Sequence, residues 1–308
     1  MSSSHVHLQI EQALAEKKSW LADEFNQQFL CQKSLETLDE FVAGRESHIG
    51  KVLGSFTSLS HWFGVKGVID ILEGRSSNYL CDSFWFDMFH HTVMNSSFQT
   101  TKKEGAFRAI IKRKVWPPRP TISFNDQGLL LAKSFALGLV PLGEAIGHQS
   151  LAGLKDGIFY GRSQNQLTPF LLTAFAKWKQ IPLPPEDLPE AIPDAYVPLL
   201  DKLTSPPEKI QTALMTACNF HLSRSRMPDD WNTYEFSHGP YPVYPVEILF
   251  LFRIRQLLGL ENPEVDHPLL NSPVGKLPEI KCAISPQFEP LRDKIRSEYS
   301  AWPAATDS

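Results

Sequence analysis

Residues 241–278 read YPVYPVEILFLFRIRQLLGLENPEVDHPLLNSPVGKLP. From Val246 the apolar positions Ile248, Leu249, Phe250, Phe252 and Leu257 run almost all the way round a helix, interrupted by Glu247, Arg253 and Arg255. A helix that is apolar on every side belongs inside a core. Its charges must be paired or reach solvent, because burying a lone charge is expensive. Gly259 stops the helix, and Asp266-His267-Pro268 makes an exit turn in which the aspartate accepts from backbone N–H groups and the proline fixes the direction of the chain. Residue type alone would also allow catalysis by Glu247, Asp266 and His267. A structural polar knot of Glu247, Arg253, Arg255, Asp266 and His267 accounts for the same residues without a substrate, and is the expectation.

Working outward, helical periodicity dominates. Apolar residues at three- and four-residue steps predict helix over 8–43, stopped by Gly44, and over 49–72, closed by Gly74. The aromatic stretch 78–98 lacks period-two alternation and reads as a buried helix. Asn125 or Asp126 is expected to cap a helix running to residue 146 with a kink at Pro141. A helix over 165–180 follows, with Thr168 as cap and Pro169 in its first turn. Ser205-Pro-Pro-Glu208 reads as a capping box opening a helix to Ser223, and a last helix spans 286–299. The expected fold is all-α, an irregular bundle of eight or nine helices with Pro-rich connecting loops. The basic stretch 99–123, with Pro117, Pro118 and Pro120, marks the best boundary. It gives regions 1–123 and 124–308, which are also compatible with one continuous domain.

Composition narrows the function classes. The chain has 308 residues with a net charge of −4, distributed as −5 over 1–100, +5 over 101–130 and −4 over the rest. It offers no strong attraction to nucleic acid. No stretch is apolar enough to span a membrane and no signal peptide is visible, so a cytoplasmic protein is expected. Cys31, Cys81, Cys218 and Cys282 are scattered and read as reduced, mostly buried thiols.

Motifs for chemistry are sparse. Asp87 and His91 share a helix face at i,i+4, and Glu144 and His148 repeat the spacing, so two helices could converge on a metal in a helical metal-dependent oxidase. The simpler account has His91 bonded to an acidic neighbour one turn away. Glu235-Phe-Ser-His238 is a Glu-x-x-His and abuts Gly239-Pro240 in a loop. A G-x-S-x-G elbow, a phosphate-binding loop and a dinucleotide fingerprint are all missing. The basic run Lys102–Arg119, with Phe107 and Trp116, could hold single-stranded nucleic acid; a solvated hinge between two acidic halves suits the overall charge better. Residues 181–208 are proline-punctuated and carry six acidic side chains against Lys202. Their charge makes Glu186, Asp187, Glu190 and Asp194 candidate contacts for a basic partner.

Tyr244-Pro245-x-Glu247, Arg253, Arg255, Leu258-Gly259-Leu260 and Asp266-His267-Pro268-Leu269 resemble the C-terminal signature of all-helical immunity proteins of bacterial polymorphic-toxin systems. The resemblance covers residues 241–278 and no more. It implies helical hairpins stacked round the apolar helix, an acidic face for a basic toxin, no cofactor, and neutralisation by protein–protein contact in place of catalysis.

Overall fold

The computed structural model of the chain describes residues 3–110, 121–161, 167–225, 234–278 and 282–303, with side chains for all of these except 3–5 and 105–110. Among them are twelve α-helices and two short strands. The helices are α1 (Ser3–Ala22), α2 (Lys33–Val42), α3 (Ile49–Leu72), α4 (Tyr79–Ile110), α5 (Phe124–Ala136), α6 (Val140–Asp156), α7 (Leu167–Lys179), α8 (Val197–Asp201), α9 (Pro207–Ser223), α10 (Val246–Leu257), α11 (Pro268–Asn271) and α12 (Glu289–Glu298). A π-helical turn, Asn26–Gln32, joins α1 to α2. Strand β1 (Ile122–Ser123) pairs in parallel with β2 (Phe159–Tyr160). The protein is predominantly α-helical, and no described helix is long and apolar enough to cross a membrane.

The count exceeds eight or nine for local reasons. The helix expected from 125 to 146 is two helices, because the chain turns at Gly138, where φ is +78°. Glycine adopts that conformation without steric cost, so Pro141 opens the second helix instead of kinking one. The cap of α5 is Ser123, whose Oγ accepts from the Asp126 N–H at 3.3 Å; neither Asn125 nor Asp126 takes that place. Thr168 is likewise no cap, since it lies inside α7, which includes Leu167 before it; its hydroxyl donates to the Phe124 carbonyl at 2.8 Å. The Ser205–Glu208 capping box is not formed: α9 begins after Pro206 with no side-chain cap.

Two packed units meet in one core. α3 lies along α4, while α5 is flanked by α6, α7 and α10. The buried apolar cluster runs from Val6 to Ile295, through residues on both sides of the 123/124 boundary. α10 takes the central place its composition demands, with Val246, Ile248 through Leu251 and Ile254 fully buried. Close helix approach depends on glycine. A Cβ at Gly147 of α6 would lie 2.4 Å from the Phe175 ring, and one at Gly128 of α5 would lie 2.2 Å from Thr168 Oγ1.

The cysteines correct the reading from spacing. Cys81, at the start of α4, is disulfide-bonded to Cys282, 201 residues later, with Cα atoms 5.6 Å apart. Cys31 and Cys218 are free. Such a pairing joins chain-distant segments and leaves no trace in local spacing. Around it Asp82 accepts from the Ser285 backbone N–H (2.8 Å) and hydroxyl (2.7 Å), and Phe288 packs its ring on Phe63 and Phe86. The segment after 282 is therefore a clasp over α3 and α4.

Candidate functional site

A polar cavity of about 170 Å³ opens where α3, α4, α5 and the loop before α10 meet. Asp87 lines its floor and is paired there with Lys133 of α5, an interruption in the apolar run Leu129–Leu137 and itself fully buried. The ammonium donates to Asp87 Oδ2 at 2.8 Å and to Ser83 Oγ at 2.7 Å. Ser83 passes its own proton to the Ser60 carbonyl at 2.6 Å. Burial alone would raise the Asp87 carboxyl; the charge and hydrogen bond of Lys133, with a hydrogen bond from Ser60, hold it below its ordinary value. Burial pulls Lys133 down, with Asp87 opposing. This is a part-buried ion pair, with Lys133 enclosed and Asp87 partly exposed, and its added hydrogen bond to Ser83 is the kind of support that lets such pairs be tolerated.

Above the floor stand His61 from α3 and His90 from α4, both partly buried, and the exposed His238 from the loop. Desolvation lowers all three imidazoles, so each is neutral at pH 7, with one lone pair to offer. Asp126 sits at the mouth and retains open surface. Crowding by its neighbours, and then the charge of Asp87, nevertheless push its carboxyl up to about 6. Glu235 accepts at Oε2 from the Arg224 Nε–H at 2.7 Å, while Oε1 is buried without a hydrogen-bond partner. Leu129, Pro240 and Tyr241 supply apolar wall.

The metal alternative does not assemble. Asp87 is taken by Lys133, and His91 pairs through Nδ1 with Gln127 Oε1 at 3.0 Å, not with an acidic neighbour. Glu144 is bound to Lys179 at 2.7 Å, and His148 rests edge-on against Phe175. No three His, Cys, Asp or Glu side chains gather at metal-binding range among the described residues.

The five residues of the expected knot are dispersed into separate networks. Glu247, fully buried, accepts at Oε1 from Tyr196 (3.3 Å) and lies 2.9 Å from His221 Nδ1, whose Nε2–H donates to the Tyr241 carbonyl at 2.9 Å. Arg255 has no carboxylate partner among the described residues; it donates to the carbonyls of Leu203 (2.7 Å), Ser205 (2.9 Å) and Glu261 (2.6 Å). Arg253 reaches the Phe135 carbonyl at the end of α5 (3.2 Å), where a cation suits the helix dipole. Asp266 accepts from Asn271 Nδ2 at 2.8 Å, and His267 Nδ1 caps α11 by accepting from the Leu269 N–H at 3.2 Å. Burial lowers the His267 imidazole to about 4. Every one of these contacts fixes backbone or packing.

The acidic loop is a surface feature. Glu186, Asp187 and Asp194 are exposed and Glu190 is half-buried. None is in an ion pair with a described residue, whereas Glu144, Asp156 and Asp201 each have a lysine. Within the basic run, Lys102 pairs with Asp156 at 2.6 Å; residues 111–119 of the run lie outside the described residues.

Sequence reasoning missed His61, Asp126 and Lys133. A signal for one of them was present, since a lone lysine among leucines, alanines and phenylalanines on a core helix needs a buried acceptor. Glu235 and His238 were noticed for their spacing, and the fold places both at the cavity. No protein-family model, curated protein or solved structure matches this chain.

Proposed function

We propose that this chain is a binding protein of the immunity type, which neutralises a basic protein toxin by direct contact through the loop of Glu186, Asp187, Glu190 and Asp194. The observation that carries the reading is that these four acids lie within residues 186–194, three exposed and Glu190 half-buried, without a cationic partner among the described residues, on backbone that prolines restrict. Pro185–Asp187 is a 3₁₀ turn closed by Asp187 N–H to the Pro184 carbonyl at 3.0 Å, and Pro193 and Tyr196 anchor the far end in the core. A pre-organised acidic surface speeds encounter with a basic partner and loses little ordering entropy on binding. The resemblance of residues 241–278 to immunity proteins adds to this, with those residues serving as scaffold.

The test is co-expression with the product of the adjacent open reading frame. The expected result is relief of that protein's toxicity and a stoichiometric complex on gel filtration. Reversing Glu186, Asp187 and Asp194 to lysine should weaken the complex at least tenfold. A toxin that stays fully lethal, or a purified pair that elutes separately, would overturn the reading.

A further inference from the structure

A second cavity, of about 370 Å³, opens between the turn that joins α3 to α4, the end of α5 and the segment after α11. It shares no lining residue with the polar cavity and does not depend on the toxin-binding reading. We propose that it is a binding site for a small apolar carboxylate, whose hydrocarbon body lies on the walls and whose anionic head pairs with Lys276 at the mouth. Three observations carry this. First, size and wall character suit such a body. The volume falls within the roughly 300–1,000 Å³ of small-molecule pockets. Leu80, Leu137, Val274 and the Tyr244 ring, all buried side chains, supply the inner wall. Covering apolar surface that otherwise meets water is favourable.

Second, the charge at the mouth has one sign. Among the described residues the cavity is bounded by Arg75 and Lys276 and by no acidic side chain. Arg75 is held by Asp70 and Glu73, and Lys18 pairs with Glu73 at 2.7 Å, so that network of two cations and two anions is neutral. Lys276 is exposed and has no ion pair with a described residue, which leaves one uncompensated positive charge. Ser77 adds a donor to the lining: its Oγ accepts from the Tyr79 N–H at 3.2 Å, and its own proton is uncommitted. A lone ammonium and a hydroxyl over apolar walls attract a carboxylate head and disfavour a cationic one. Third, the walls are fixed. Asn78 Nδ2 donates to the Ala283 carbonyl (2.8 Å) and to Ser285 Oγ (3.1 Å), which ties the α3–α4 turn to the clasp. On the Val274 side, a Cβ at Gly275 would lie 2.0 Å from the Leu269 carbonyl oxygen, so the Pro273–Gly275 turn is seated hard against α11. A pocket already held open loses little ordering entropy when it is filled.

NMR titration of the full chain with sodium octanoate reads the site directly. Saturable shifts at the methyl groups of Leu80, Leu137 and Val274 are expected, with sodium acetate giving none. n-Octanol and n-octylamine carry the same body under a neutral or a cationic head. Both should bind about fivefold more weakly than octanoate, the worth of one exposed ion pair. Lys276→Gln should bring octanoate down to the affinity of octanol and leave octanol unchanged. Ile71→Trp, which enlarges a half-buried wall residue, should abolish the binding of both. Lys276 is exposed, so its variant keeps the test decisive if the larger side chain at 71 disturbs folding. No saturable methyl shift with octanoate, octylamine bound as tightly as octanoate, or octanoate affinity unchanged in Lys276→Gln would overturn the proposal. Octanoate shifts confined to the exposed Phe25 and Phe29 would overturn it too, as adventitious surface binding.

Discussion

His91 shows how a single buried imidazole ties this fold to pH. Its Nδ1–H donates to Gln127 Oε1, Gln127 passes a hydrogen to Ser150 (2.7 Å), and Ser150 passes one to the Ile146 carbonyl (2.7 Å), so the ring links α4 to α5 and α6. Burial, with the charge of His90 second, lowers its value to about 4. The unfolded chain takes up this proton near pH 6.5 and the folded one near 4, so between these values the unfolded state holds more protons. Stability is then level above about pH 6.5 and falls as pH drops toward 4, by roughly 3 kcal/mol for a fully desolvated ring. His267 contributes in the same direction. Asp126, raised to about 6, acts in the opposite sense. Urea unfolding at pH 7.5 and pH 5 should show the loss, and His91→Asn, which keeps a donor for Gln127, should flatten it. An unchanged slope in the variant would remove His91 from the account.

At the level of the element, helices pack closely only where glycine permits it. Gly147 faces Phe175, and the fully buried ring has no room to retreat. Gly147→Ala gains helix propensity, about 1 kcal/mol at most, yet forces overpacking of about 1–3 kcal/mol. A lower urea midpoint is expected. Gly54→Ala in α3, where a Cβ meets nothing, should raise it; equal effects at both positions would refute the packing argument. The contrast also explains what was legible beforehand. α3 and α10 were readable because periodicity, or apolarity all round, is a property of consecutive residues. The break at Gly138 was not, because Pro141 nearby is an equally good local signal; Arg253 of α10 reaches the Phe135 carbonyl beside the break, a contact local sequence does not show. The polar cavity was illegible for the same reason. Its acceptors come from four segments, and their partners decide which remain available.

Across the whole molecule, the Cys81–Cys282 bond closes a loop whose ends are 201 residues apart. Constraining such a loop removes unfolded-state entropy worth about 5 kcal/mol in the chain-entropy model. Cys282→Ser should lower the thermal midpoint by several degrees. The clasp should stay docked, since the Asp82–Ser285 bonds, the Asn78 bond to the Ala283 carbonyl (2.8 Å) and the stacking of Trp302 on Trp85 remain. Tryptophan fluorescence of the folded variant checks this; a solvent-exposed spectrum would mean that the disulfide alone holds the segment down.

The clasp also sets an order of events during synthesis. Phe63 and Phe86 emerge from the ribosome some two hundred residues before Phe288, the ring that covers them. At about 5–20 residues per second this leaves an aromatic face uncovered for roughly 10–40 s in every nascent chain. For that interval the nascent chain carries a sticky surface that its folded form hides, and α3 and α4 need shelter until Phe288 arrives.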